Sequence, residues 1–180
     1  MELSDRSTHH RGTADALQER ERMIEAINLL TEQITTEIDL DDLMETMSLQ
    51  FVHYGIFRSL MIALVNEKNQ TVRVPSSAFL HPTKGTIVKK AENGVIGTTY
   101  ALDDDNITAV VARTGETKIV DEWDDRFDKR ISLRNNFDRK VSYFIPVKIG
   151  SKTIAVLATG STFDEKEQML AKIESMGPLF

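Results

Sequence analysis

Between Val141 and Thr159 apolar and polar positions alternate with a period of two. Val141, Tyr143, Ile145, Val147 and Ile149 mark one face of a strand, and Ile154, Val156 and Ala158 resume the period after Gly150-Ser151. This pattern predicts a β-hairpin. A type II′ turn needs positive φ at its first central position, which glycine adopts without a Cβ clash, so Gly150-Ser151 supplies the loop. Ala155 and Leu157 make the second strand apolar on its other face as well, which implies cover on both sides. Pro146 has no N–H to donate, so the first strand leaves a gap in its ladder there or runs at an edge.

Elsewhere the period is helical or broken. Residues 1–15 are polar and aperiodic and read as a disordered tail. Over 16–38, Met23, Ile24, Ile27, Leu30 and Ile34 form one apolar stripe, predicting a linker helix that packs on its own domain, pairs with its copy in a homodimer, or does both. The main domain then spans 39–180. Asp39 caps a second helix running from residue 40 to Tyr54, with Leu40, Leu43, Met44, Met47 and Phe51 on one side and Gly55 closing it. The methionines there read as core filler. Arg58–Val65 is a continuous apolar run, expected as a central strand, and Thr71–Val74 is its hairpin partner, stopped by Pro75.

Ser76–Asp105 reads as a long irregular connection with one or two short strands, of the kind that often forms a binding loop. One residue among Asp103, Asp104, Asp105 and Asn106 caps a short helix ending at Thr114-Gly115. Glu116–Val120 is a short strand. Trp123 and Phe127 are spaced to share a helical face, within a charged stretch to Asn136 that is an exposed helix or loop. Thr162 and Glu165 fit a capping box, and Phe163, Met169, Leu170, Ile173 and Met176 supply the buried face of a last helix ended by Gly177-Pro178.

Composition narrows the chemistry. The chain has 180 residues, 41% hydrophobic and 28% charged, a formal charge of −6 and no cysteine. One core is affordable at this length, the charge leaves no footprint for nucleic acid, and thiolate chemistry is excluded. No apolar run approaches the ~20 residues of a membrane span, so direct membrane insertion is not expected, and a cytoplasmic setting is. His9-His10 and the aspartates at 103–105 read as incidental surface groups rather than metal ligands. No serine–histidine pair or metal-ligand constellation marks an enzyme. The acidic group Asp121, Glu122, Asp124 and Asp125 is the best remaining cation site, and more simply favours a helix N-terminus.

In serial order, IDLDDLMETM, SLMIALVNE, ITAVVARTGETKIVDE, SYFIPVKIGSKTIAVLAT and FDEKEQMLAKI resemble a GAF domain, a sensory and dimerisation module of signalling proteins. The resemblance covers about Ile24 to Met176. It implies an α+β fold related to PAS: a central antiparallel sheet of about six strands, N- and C-terminal helices packed on one face, and a ligand pocket on the other. The pocket region it implies contains Phe79, Tyr100, Thr108, Trp123, Arg134 and Tyr143. The cyclic-nucleotide-binding branch carries Asn-Lys at the end of the last strand and then Phe, three residues, Asp-Glu. Here Ala158-Thr159 replace the first pair and Glu167-Gln168 the second, which argues against that ligand. Bilin attachment and the sulfoxide-reductase chemistry of some members need cysteine; a haem would need His53 or His81. The resemblance thus implies a small-molecule sensor of unassigned ligand and cofactor that relays a change through its terminal helices to an output domain of cyclase, histidine kinase or diguanylate cyclase type. The alternative is a ligand-free structural dimerisation module.

Overall fold

The computed structural model describes residues 21–22, 39–81, 83–89, 95–129 and 140–177. The predicted tail (1–15) and, apart from residues 21–22, the linker helix (16–38) lie outside the described residues, as does Arg134.

Helix α1 spans Leu40–His53 and starts as its sequence requires: the Asp39 carboxylate accepts from the Asp41 N–H at 3.0 Å. Gly55, with φ +69°, then turns the chain into strand β1 (Ser59–Asn66). β1 pairs antiparallel with β2 (Thr71–Leu80) on one side and β7 (Lys152–Thr162) on the other, so it is central, as its apolar run predicts. β6 (Lys140–Ile149) continues the sheet beyond β7, and β5 (Lys118–Val120) forms that edge. At the opposite edge, β3 (Ile87–Lys89) and β4 (Thr99–Ala101) pair with different halves of β2.

The β6–β7 hairpin closes through Gly150-Ser151, with Ile149 opposite Lys152. Gly150 has φ +63° and Ser151 a negative φ, the pattern of a type II′ turn. Pro146 is accommodated because β5 reaches only Ser142–Phe144, leaving that side of β6 without a partner at the proline among the described residues. Pro75, by contrast, does not stop β2. The register shifts between Ile62 and Leu64, so that Val74 and Pro75 bulge opposite Ala63, and on the outer side β3 and β4 pair with residues 78–80 and 71–73 only. The missing N–H falls where no ladder bond is needed, and the strand runs on to Leu80.

Helices cover both faces. On one lie α1 and the last helix, α3 (Lys166–Met176), with Met44, Phe51, Val52, Met169 and Met176 packed on Leu60, Ile62, Tyr143, Ile145 and Leu157. Burying each such side chain is worth about 1.5–3 kcal/mol. Lys172 Nζ donates to the Ile56 carbonyl at 2.8 Å, tying α3 to the segment after α1. Thr162 N–H bonds Glu165 Oε2 at 3.2 Å, completing the expected capping box, but a single 3-10 turn (Phe163–Glu165) precedes α3 and Phe163 is exposed rather than core. Its ring lies under the Lys166 ammonium at 5.6 Å.

On the other face sits α2 (Ile107–Thr114), capped by Asn106 and ended by Gly115 at φ +63°. Ile107, Ala109, Val111 and Ala112 pack with Ala63, Val72, Val74 and Val156. Trp123 and Phe127 do touch, at 5.7 Å between ring centroids, yet through turns and not a helix: Phe127 N–H bonds the Asp124 carbonyl at 3.1 Å.

Candidate functional site

Strand β7 explains why α2 does not seal its whole face of the sheet. Alternation sends Ala155, Leu157 and Thr159 toward α1 and α3, and Val156, Ala158 and Gly160 toward α2. Val156 meets α2. Beyond it the side chains shrink to a methyl group and a hydrogen, opening a trough along the middle of the sheet.

The trough is flanked by other strands at fixed register. Met61 lies opposite both Ala158 and Ser77, Phe144 lies across from Ala158, and Ser142 from Gly160. Ser59 falls beside Gly160, where a Cβ would be 4.0 Å from its Oγ. Over this floor close Val95, Tyr100, Ile107, Thr108 and the segment Arg126–Asp128, leaving a cavity of about 610 Å³. That is the size of a site for a small organic ligand.

Its lining mixes apolar and polar side chains, and the charged ones stand at two ends. The Tyr100 hydroxyl donates to Asp128 Oδ2 at 2.7 Å. Arg126 is held by Asp124, Nη2 to Oδ2 at 2.6 Å, and this hydrogen bonding keeps the Asp124 carboxyl below its ordinary range and raises the guanidinium. At the other end Arg58 bonds Glu165 at 2.9 Å, and Lys140, opposite Thr162, has no ion-pair partner among the described residues. Glu165 is held below its ordinary range first by the Thr162 N–H and only lastly by the Arg58 charge.

Of the residues expected from sequence, Phe79, Tyr100 and Thr108 line this cavity. Trp123 stands one ring behind it, against Phe127, which does line it. Tyr143 faces away: it is fully buried under α1 and α3, with its hydroxyl 3.0 Å from Ser161 Oγ. The odd-numbered positions of β6 point to the helices and the even-numbered ones to the cavity, so Ser142 and Phe144 take the place assigned to Tyr143. Period-two alternation shows two faces without saying which one bears α2, and small residues such as Ala158 and Gly160 carry no signal of their own.

Other candidates disperse. His53 is exposed at the end of α1, edge-on to Tyr54, and His81 Nδ1 accepts from the Thr83 and Lys84 N–H groups at 3.3 Å in the β2–β3 turn. Neither lines the cavity, so the haem ligand has no counterpart there. The acidic group is divided among partners: Asp121 pairs with Lys166, Asp124 with Arg126, and Asp125 accepts from Trp123 Nε1 at 2.8 Å. No cluster of three or more potential metal-binding side chains occurs among the described residues. A second depression, of about 670 Å³, lies near the β1–β2 turn, but the Arg73–Asp41 and Lys152–Glu67 pairs occupy its charges. No helix among the described residues is long and apolar enough to cross a membrane.

No protein-family model matches the sequence, and no curated protein matches it. Solved structures do. The GAF domain of A. aeolicus nlh2, in an inactive state, aligns with a TM-score of 0.57 at 16% identity, covering 88% of this chain and 93% of that one. A phycoerythrobilin-bound GAF domain from a cyanobacterial phytochrome gives 0.51 at 13%, covering 86% and 92%. The free methionine-R-sulfoxide reductase from Neisseria meningitidis, in complex with its substrate, gives 0.54 at 12%, covering 82% and 75%. With its antiparallel sheet, two helices on one face and a third over the other, the chain has the GAF domain fold.

Proposed function

We propose that this chain is the regulatory GAF-type sensor of a cytoplasmic signalling protein, binding a small molecule in the cavity over Ala158 and Gly160. Its proposed role is regulatory rather than catalytic: in the described lining the Asp128 carboxylate is bonded to Tyr100, and no histidine stands beside a hydroxyl. The observation that carries the reading is the cavity of about 610 Å³, whose floor carries the small side chains of Ala158 and Gly160 and leaves room that the described residues do not fill. A purely structural dimerisation module would be expected to fill that space at close-packed density. Signalling proteins supply several of the similar folds, including a methyl-accepting chemotaxis protein matched at a TM-score of 0.52 and 11% identity.

A ligand shifts a conformational equilibrium only by its differential affinity for the two states. The proposed route runs from the cavity through Arg58 and Glu165 to α3, and through the 16–38 helix of a homodimer to an output domain of cyclase, histidine kinase or diguanylate cyclase type. Native mass spectrometry of protein purified from its own host tests this. A dimer retaining a small-molecule mass supports the sensor; a bare dimer favours the structural module, and a bare monomer counts against both.

A further inference from the structure

Resting on the sensor reading, the cavity's own chemistry narrows what it takes. We infer that the ligand is a small arene carboxylate: a flat apolar ring lying on the Ala158–Gly160 trough, with its carboxylate at Arg58 and Lys140.

The shape argument starts from the floor. Ala158 and Gly160 offer almost no relief, so the surface at the centre of the sheet is nearly flat, and Phe79 and Phe144 lie on either side of it. Phe127 leans over Phe144 with ring centroids 6.1 Å apart and planes tilted by 37°. Aromatic rings prefer offset or tilted neighbours at such distances, and a planar guest extends the arrangement where a branched aliphatic one would not. Ile107 and Val95 close the space above with apolar surface.

Charge gives the second half. At the end where β1 and β6 begin and β7 finishes, the lining includes Arg58, Lys140, Ser59 and Ser142. Thr162 connects the two cations: it is the register partner of Lys140, and its N–H holds the same Glu165 carboxylate that pairs with Arg58. Lys140 has no ion-pair partner among the described residues, and Arg58, with 68% of its side chain exposed, pairs with Glu165 through Nη2 at 2.9 Å. The guanidinium therefore retains donors for a second carboxylate. At the far end the charge is mixed: the lining carries the Asp128 carboxylate, which accepts from Tyr100, together with the Arg126 guanidinium, so a cationic guest meets a cation there as well as an anion. This cationic end stands in a chain of net charge −6. A ligand carboxylate on those guanidinium donors would share Arg58 with Glu165, at the very turn that leads into α3, which gives the ligand a direct hold on the last helix.

The test is titration calorimetry on the full 180-residue chain with three probes of one shape: 2-naphthoate, neutral 2-naphthamide and the 2-naphthylmethylammonium cation. Naphthoate is expected to bind about tenfold or more tightly than the amide, the gain of a charge-assisted contact, and the cation not at all. Replacing both cations (Arg58→Gln with Lys140→Gln), each exposed and outside the core, should shrink that preference to about threefold or less, and Ala158→Met should weaken naphthoate and amide alike by about tenfold. If amide and acid bind equally, or the cation binds best, the carboxylate assignment is wrong while an occupied cavity still stands. If no probe binds and Ala158→Met leaves the mass of host-purified protein unchanged because nothing is retained, the sensor reading falls with it.

Discussion

Ser48 of α1 and Ser76 of β2 meet with their hydroxyl oxygens 2.5 Å apart, both buried where helix and sheet join. Ser48 also donates to the Glu45 carbonyl at 2.9 Å. A hydroxyl has one proton, so Ser76 is the donor of the shared bond and Ser48 its acceptor. Ser48→Ala therefore strands a buried donor and should cost about 1–3 kcal/mol, whereas removing both hydroxyls together should recover much of that loss. Urea unfolding of the two single variants and the double gives the coupling; additive losses would mean that the hydroxyls do not depend on each other.

The other buried hydroxyl pair separates stability from binding. Tyr143 donates to Ser161 Oγ at 3.0 Å while Ser161 donates to the Thr162 carbonyl at 2.8 Å. Tyr143→Phe removes one bond, leaves the Ser161 proton satisfied, and should lower stability by about 0.5–1.5 kcal/mol. Because Tyr143 lies on the α1 and α3 side of the sheet, naphthoate affinity should stay unchanged. A matching loss of affinity would mean that the sheet transmits the change to its other face.

How far the sequence discloses this molecule follows from which features have a periodic or stereochemical signature. Asp39, Asn106, Gly115 and Gly150 each announce a cap or turn by backbone chemistry, and each is found where that chemistry places it. A continuous apolar run marks the strand at 59–66, and period-two alternation marks the pair between 140 and 162. Proline as a strand stop misleads at Pro75, where a bulge and a gap between two short edge strands absorb it, because edge pairing is non-local. Hydrophobicity places Phe163 in the core, yet one turn of 3-10 helix rotates it out to solvent. For the cavity, the aromatic residues Phe79 and Tyr100 are legible as candidates. The floor at Ala158 and Gly160 is not, because a cavity is made by side-chain atoms that are missing.

Acid should weaken the fold through a few paired carboxylates. The Asp41 carboxyl is lowered from its usual 3.8 chiefly by the hydrogen bond from Arg73, which joins the first turn of α1 to β2. A carboxyl depressed in the folded state contributes stability that is present above its unfolded value and disappears as pH falls through the folded one. The same sign holds for Asp124, through Arg126, and for Glu165, through the Thr162 N–H. Urea midpoints should accordingly be level from neutrality down to the upper edge of the carboxylate range and drop below it. Both Asp41 and Arg73 side chains are more than 40% exposed, so Arg73→Met should cost no more than about 1 kcal/mol at neutral pH and make the acid slope shallower. An unchanged slope in that variant would assign the acid sensitivity to other groups.

Trp123, the only tryptophan in the chain, gives an optical readout of the cavity without a label. Its ring is half-buried against Phe127 at 5.7 Å between centroids, and its Nε1 donates to Asp125 at 2.8 Å, so it reports on one wall of the cavity and on one carboxylate. Phe127 in turn touches Phe144 on the floor. A ring inserted between floor and roof has to displace or clamp Phe127, and Trp123 moves with it or loses freedom. Its emission should therefore change in intensity or wavelength along a saturation curve whose midpoint equals the calorimetric one for naphthoate. In Ala158→Met the curve should shift to about tenfold higher concentration, in step with affinity. Asp125→Asn, which keeps an acceptor but removes a charge, should alter the starting emission and leave the midpoint alone. Calorimetric binding with an unmoved tryptophan signal would place the guest toward Arg58 and Lys140 alone, clear of Phe127, and the stacking part of the model would then be wrong.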